Sequence, residues 1–320
     1  MNLGNSSLIR SVILIFCFGY VQNRRKIKTN NTNLISDPNS DIYLDSLQLL
    51  AKYGYNPQRH SVVTGDGYVV DLYRIPRNGP PVLLVHGIAD SSDSWLVLGP
   101  ENSLAYQLAD LGYDVWLYNT RGNKYSKAHV RNIPANKYWN FTYEEMGTQD
   151  LPAVIDYILS VRSLGKLYYV GFSQGTTIFF IMCSLRPEYN DKVKHAVMLA
   201  PIALINNIKY PFIDILTKNL HLLVPLFNNL GIYDVYANNH LLNLYHAKVC
   251  RDGVPEKVHL VENVEFIRRK LPNVAGYIVF NKSLDFTHLE FIYGSRAKKF
   301  VNNPVVNIIN NDYYAGLEAV

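Results

Sequence analysis

Apolar positions along the chain fall into two alternating patterns. Short, largely apolar runs at 68–75, 81–85, 113–118, 167–170, 193–199 and 274–280 have the length and the β-branched or aromatic content of buried strands. Between them, apolar residues recur at helical spacing. Leu44, Leu47, Leu50 and Ala51 mark a helix within 42–53, and further helices are predicted at 103–111, 141–162, 176–183, 259–270 and from 286 to 302 or on to 309. The run 60–63 and the run 68–75 flank Thr64-Gly65-Asp66-Gly67 and predict a β-hairpin. Thr142, with Glu145 three residues on, predicts a capping box at the start of the long third helical stretch, which Pro152 kinks or splits. Strand-helix repetition of this kind predicts an α/β fold, a mainly parallel sheet covered by helices on both faces.

Past Ala200-Pro201 the alternation stops. Residues 202–250 are apolar with helical character and predict a helical cap inserted over the strand ends or, more simply, helices packed on the sheet. The N-terminus differs again. Arg10 precedes an apolar stretch at 11–21, inside the length of a leader's hydrophobic core and too short to span a bilayer, so residues 1–22 are expected to be a signal peptide and no transmembrane span is expected. The expected organisation is a leader at 1–22 followed by one α/β domain at 40–320, with 202–250 as a shortened cap inserted in it.

The full chain of 320 residues, 48% apolar, is long enough for one large α/β domain with a sizeable core. Its formal charge of +5 is slight for that length, and Arg24-Arg25-Lys26 is the densest basic cluster, so nucleic acid is not an expected partner. Sequons at Asn30, Asn140 and Asn281 fit a glycoprotein on the secretory route. Cys17, Cys183 and Cys250 form no disulfide framework: the first leaves with the leader and the second is expected on the buried face of the helix at 176–183.

The chemistry centres on Gly171-Phe172-Ser173-Gln174-Gly175, a G-x-S-x-G sequence between a predicted strand and a predicted helix. Such a turn is too tight for side chains at its flanks, and it leaves the serine hydroxyl exposed at the strand's end. The backbone N–H of Gln174 then points at a developing oxyanion, and the loop after the strand at 81–85, His86-Gly87-Ile88, offers a second N–H at Ile88. Trp95, further along that loop, lines the pocket or packs in the core. A serine hydroxyl needs a histidine base, and the base needs a carboxylate to orient it. In the order Ser, acid, His expected of such a fold, only His259 and His288 of the nine histidines come late enough, and His288 lies where the base belongs, after the last strand and before a helix.

With Gly54-Tyr55, His60, Asp66-Gly67-Tyr68, Arg74-Ile75-Pro76, His86-Gly87-Ile88, Ser103-Leu104-Ala105, Arg121-Gly122-Asn123, Asp150-Leu151-Pro152-Ala153, the elbow, Leu271-Pro272-Asn273 and His288-Leu289-Glu290-Phe291, the chain resembles the acid lipase family, the gastric and lysosomal lipases, above all its insect members. The resemblance implies an α/β-hydrolase fold and Ser173 as nucleophile, His288 as base, with the N–H groups of Ile88 and Gln174 as the oxyanion hole. It also implies hydrolysis of triacylglycerols or cholesteryl esters, no metal or organic cofactor, work at a lipid surface, and secretion or lysosomal residence. Two departures stand out. Phe172 occupies a position where the family usually has histidine. After Cys250 the family continues through the rest of a cap and a strand before its acid, whereas this chain soon reaches the helix at 259–270. The family's acid aligns with Glu256, a candidate triad member. Asp252 is a second candidate and Asp285 a weaker one, being only three residues from His288. The short stretch leaves open an impaired homologue that binds lipid or a partner, or a chain from which a coding segment was skipped.

Overall fold

The computed structural model describes residues 12–17, 41–204, 218–231, 233–234, 261–280, 284, 286 and 288–310. Among these the strands are β1 (Val12–Cys17), β2 (Gln58–Val63), β3 (Tyr68–Ile75), β4 (Pro81–Val85), β5 (Asp114–Tyr118), the short β6 (Ala128–His129), β7 (Leu167–Phe172), β8 (Val193–Leu199) and β9 (Val274–Phe280). The helices are α1 (Ser46–Lys52), α2 (Leu104–Asp110), α3 (Ala135–Tyr138), α4 (Tyr143–Glu145), α5 (Leu151–Arg162), α6 (Gln174–Leu185), α7 (Leu220–Asn229), α8 (Val261–Lys270), α9 (Glu290–Tyr293) and α10 (Asn303–Ile309).

The strands form one sheet in the order β2-β3-β5-β4-β7-β8-β1-β9, with β6 beside β3. The predicted hairpin is present as antiparallel β2 and β3, and β3 also runs antiparallel to β5. From β5 onward every pairing is parallel. Side chains alternate across this sheet as the period of two requires. Val82 and Leu84 of β4, Val115 and Leu117 of β5, and Tyr168 and Val170 of β7 face one buried cluster with α2 and α10. Leu83 and Val85, Trp116 and Tyr118, and Leu167 and Tyr169 face the other, with α5 and α6. Because both faces are covered, the central strands read as continuous apolar runs.

Three elements differ from expectation or sharpen it. The helical stretch at 141–162 begins at the predicted box, in which Thr142 and Glu145 cap each other. It neither kinks nor splits at Pro152. It widens into a π-type turn over Met146–Asp150 and resumes as α5 with the proline in its first turn. Pro152 has no N–H for the carbonyl of Thr148, and Arg186 donates to that oxygen instead, at 2.8 Å. The single final helix expected from 286 is two helices. Gly294 adopts φ −78° and ψ 139°, ending α9, and a second π-type turn at Lys298–Asn302 leads into α10, again just ahead of a proline, Pro304.

The third is at the N-terminus. Val12–Cys17, inside the stretch expected to be a leader's core, lies parallel between β8 and β9, with Val12 opposite Ala196 on one side and Ile13 opposite Gly276 on the other. Strands that follow one another along the rest of the chain, β8 and β9, are thus separated by the N-terminal strand. Of the expected cap, α7 lies within the described residues, and most of 202–250 does not.

Candidate active site

The elbow is built by two close backbone approaches. A Cβ on Gly171 would sit 2.9 Å from the carbonyl carbon of Gly175, and one on Gly175 would sit 2.5 Å from the carbonyl oxygen of Val85 in β4. Only glycine lets β7, the turn and the start of α6 press together against the neighbouring strand. Ser173, the residue at the bend, has φ +51° and ψ −112°, a strained conformation for a residue with a side chain. The strain is held in place from both sides. Ser173 N–H donates to Leu199 O at 3.0 Å, and Ser173 O accepts from the N–H of Thr176 at 2.9 Å and from its hydroxyl at 2.6 Å.

Opposite the hydroxyl stands the imidazole of His288, with Nε2 at 2.9 Å from Ser173 Oγ. Both residues are buried, at 7% and 2% exposure, so the pair is shielded from bulk water. The ring of Phe172 packs on the imidazole with centroids 4.9 Å apart. The position noted as a departure from the family thus supplies one wall of the histidine's seat. The candidate base stands in the turn just before α9, close after β9, and so 115 residues of sequence separate two atoms in hydrogen-bond contact.

Ile88 and Gln174, the second of them next to Ser173 in the chain, border a cleft of about 820 Å³ whose walls include the apolar Trp139, Phe141 and Met146, the Tyr293 ring, and the charged Asp90, Asp93, Lys124, Lys127 and Asp234. Gln174 opens α6, where the first N–H groups of a helix have no partner within it and the helix dipole favours negative charge. Trp95 does not line this cleft. It is 2% exposed and packs in the core with Leu96 and Leu104. Glu256, Asp252, Asp285 and His259 lie outside the described residues, as does Cys250. Cys183 is free and half-buried against the core, and burial pushes its thiol well above the ordinary range.

Two networks that the sequence did not reveal hold the loops around the cleft. In the first, Arg121, fully buried after β5, donates to Asp150 at 2.9 Å and to Asp66 in the β2–β3 turn at 2.7 Å, with its guanidinium 3.9 Å from the Tyr68 ring centroid. Burial alone would lower its pKa, but the hydrogen bonds it gives to Asp150 and Asp66 outweigh that and raise it, so the guanidinium stays charged. In the second, the Tyr293 hydroxyl donates to Asp90, tying the loop after β4 to the helix that follows His288. The signal for the first network was Arg121 itself, an arginine three residues past the end of a buried strand.

Burial pushes the Asp90 carboxyl up from 3.8 to about 6, against the opposing hydrogen bond from Tyr293. The folded chain therefore holds this proton more tightly than the unfolded chain does. Its contribution to stability is present at low pH and is lost as pH rises from about 4 to about 6. Asp90→Asn removes that slope, so relative to wild type the variant is expected to gain about 1–3 kcal/mol between pH 4 and pH 7. Urea denaturation at the two pH values reads the difference.

With this geometry in view, comparison with known proteins is informative. Residues 80–225 match the family described as alpha/beta hydrolase fold, and residues 47–99 match the partial alpha/beta-hydrolase lipase region. The chain has the α/β-hydrolase fold and is similar to lipases built on it. It is 53% identical over 156 residues to Lipase 1 of Drosophila melanogaster, covering 48% of this chain and 36% of that protein. It is 40% identical over 222 residues to the gastric triacylglycerol lipase of Mus musculus, covering 66% of this chain and 55% of that one, and 38% identical to human Lipase member K, covering 61% and 51%. The chain thus spans between about a third and just over half the length of these curated relatives. Among solved structures, an esterase of Pyrococcus furiosus aligns with a TM-score of 0.53 at 16% identity over 82% of this chain and 93% of that one, which is a likeness of fold. The expected fold and the resemblance to the acid lipases both stand.

Proposed function

We propose that the chain is a serine-dependent hydrolase of lipid esters, triacylglycerols or cholesteryl esters, working through an acyl-enzyme. The observation that carries this reading is the 2.9 Å contact between Ser173 Oγ and His288 Nε2 on a strained, glycine-flanked bend. In the proposed reaction, His288 takes the hydroxyl proton as Ser173 Oγ bonds to the ester carbonyl carbon. The carbonyl oxygen becomes an oxyanion facing the N–H groups of Ile88 and Gln174. Collapse breaks the ester bond, and the alcohol leaves with the proton from His288. Water, deprotonated by His288, then releases the fatty acid and restores Ser173. Glu256 is the proposed acidic member that orients the imidazole.

Part of the cleft supports an acyl chain as the bound group: Trp139, Phe141, Met146 and the side chain of Ile88 give it an apolar stretch beside a rim that carries Asp90, Asp93, Lys124, Lys127 and Asp234. On α7 the side chains of Leu220, Leu222, Val224 and Leu226 are exposed, as is Leu230 just past its end, which fits a cap over 202–250 that meets a lipid surface or droplet. Among the described residues no helix is long and apolar enough to cross a membrane. The proposed organisation keeps a leader at 1–22, whose release would take β1 out of the sheet described above, and the hydrolase domain at 40–320, and the proposed destination is secretion or the lysosome, in keeping with the exposed sequon at Asn140.

The test is turnover of a panel of triacylglycerols, cholesteryl esters and short-chain esters by wild type and Ser173→Ala. Wild-type turnover that the substitution abolishes is the expected result. Equal turnover by both ends the reading. A folded wild type that turns over none of the esters yet binds lipid would favour the impaired-homologue reading, which the short stretch between Cys250 and Leu271 motivates.

A further inference from the structure

The loop that carries Ile88 is held by a residue the mechanism above does not use. His86 follows β4 directly and is 1% exposed. Its Nδ1 lies 2.7 Å from Gly87 O, and its Nε2 lies 3.2 Å from the backbone N of Thr120 and 3.2 Å from Nδ2 of Asn123. Two backbone groups decide the tautomer. The N–H of Thr120 only donates, so Nε2 accepts, and the carbonyl of Gly87 only accepts, so Nδ1 carries the proton. Asn123 is oriented independently: its Oδ1 accepts from the N–H groups of Tyr125 at 2.9 Å and Ser126 at 3.1 Å, and its amide also donates to Asn119 Oδ1 at 2.9 Å.

The consequence follows from peptide geometry. Gly87 C=O and Ile88 N–H belong to one peptide unit, which is trans, so they point in opposite directions. A carbonyl pinned to the His86 ring turns the Ile88 N–H away from that ring. Gly87 itself is pressed against the elbow: a Cβ there would lie 3.0 Å from the Phe172 ring and 3.4 Å from Ser173 Cβ. The N–H therefore leaves a fixed peptide beside the candidate nucleophile.

We propose that His86 is a positioning residue for the oxyanion site, aiming the Ile88 N–H by holding the Gly87 carbonyl, with Thr120 and Asn123 fixing the imidazole from behind. This rests on the ester-hydrolase reading of Ser173. Burial also pushes the His86 pKa down to about 4, which keeps the ring neutral and the tautomer constant over the range in which esters are assayed.

The test compares wild type, His86→Leu and His86→Asn, whose side-chain amide places an N–H where Nδ1 stands. For His86→Leu, kcat is expected to fall about 100-fold with KM within about threefold of wild type, since a misaimed oxyanion donor costs about that much. For His86→Asn, part of the loss is recovered. Affinity for a fatty trifluoromethyl ketone, which forms an oxyanion on Ser173, falls with kcat, while affinity for a non-reactive ether analogue is kept. His86→Leu that melts at the wild-type temperature with wild-type kcat overturns the proposal, as does equal loss of ketone and ether binding. Should His86→Leu not fold, His86→Asn decides, with wild-type ketone affinity and kcat supporting the pinned carbonyl and full loss of both overturning it. An ¹⁵N-histidine spectrum of the Ser173→Ala protein keeps the two readings apart. A neutral His86 protonated on Nδ1 from pH 5 to pH 8 supports the positioning role even if wild type hydrolyses no ester. A ring protonated on Nε2, or titrating near 6.5, overturns it even in an active enzyme.

Discussion

Replacing His288 by alanine is expected to lower ester turnover roughly 10⁴- to 10⁶-fold, and adding Ser173→Ala to the same chain is expected to cost nothing further. The reason is the shared hydrogen bond at 2.9 Å. Near neutral pH a serine hydroxyl is a weak nucleophile until a base takes its proton, so removing the base idles the nucleophile and removing the nucleophile idles the base. KM should move little, because neither side chain is required for an acyl chain to occupy the cleft. Steady-state kinetics of the two single variants and the double variant measure this. Losses that multiply in the double variant would mean the two residues act separately.

The second large effect is on stability. Gly175→Ala is expected to cost about 3 kcal/mol, against a near-zero effect for Gly165→Ala. The added methyl at 175 meets Val85 O at 2.5 Å and Val85 C at 3.1 Å, and both belong to the backbone of a fully buried central strand. That strand cannot retreat without disturbing its register with β7, where Val85 stands opposite Gly171. A Cβ at Gly165 has nothing within 4 Å, so it controls for the change in chain entropy. Urea denaturation of both variants gives the difference. A Gly175→Ala protein as stable as wild type would show that the elbow is looser than its glycines require.

How much of this was legible in the chain depended on the range of the interaction. Strands β4, β5, β7 and β8 lie within a residue or two of their apolar runs, because a strand buried on both faces must be apolar throughout. The elbow was legible because its glycines, serine and flanking elements are contiguous. His288 was legible as a position, through chain order and the strand before it, although its contact with Ser173 spans most of the fold. Long-range contacts that do not alter a local pattern left no trace. Nothing around Pro152 shows that Arg186 will take the carbonyl of Thr148, and nothing around Phe172 shows that its ring will seat an imidazole. Gly294 was hidden in a run whose periodicity continued on both sides of it, so one helix was expected where there are two. The apolar stretch at 11–21 shows a different ambiguity. A leader's core and a buried parallel strand are both short, uninterrupted apolar runs, and pattern alone does not separate them. His86 carried a usable signal, a histidine between a buried strand and a glycine at the mouth of a cleft, but its role lies in the direction of one peptide and needed coordinates.

The most direct test of the account is covalent labelling of the wild-type protein with a long-chain alkyl fluorophosphonate, followed by peptide mapping. The account predicts one label per chain, on Ser173, absent from Ser173→Ala and slowed by several orders of magnitude in His288→Ala. A folded wild type that takes no label, or a label that persists when Ser173 is replaced, would contradict it.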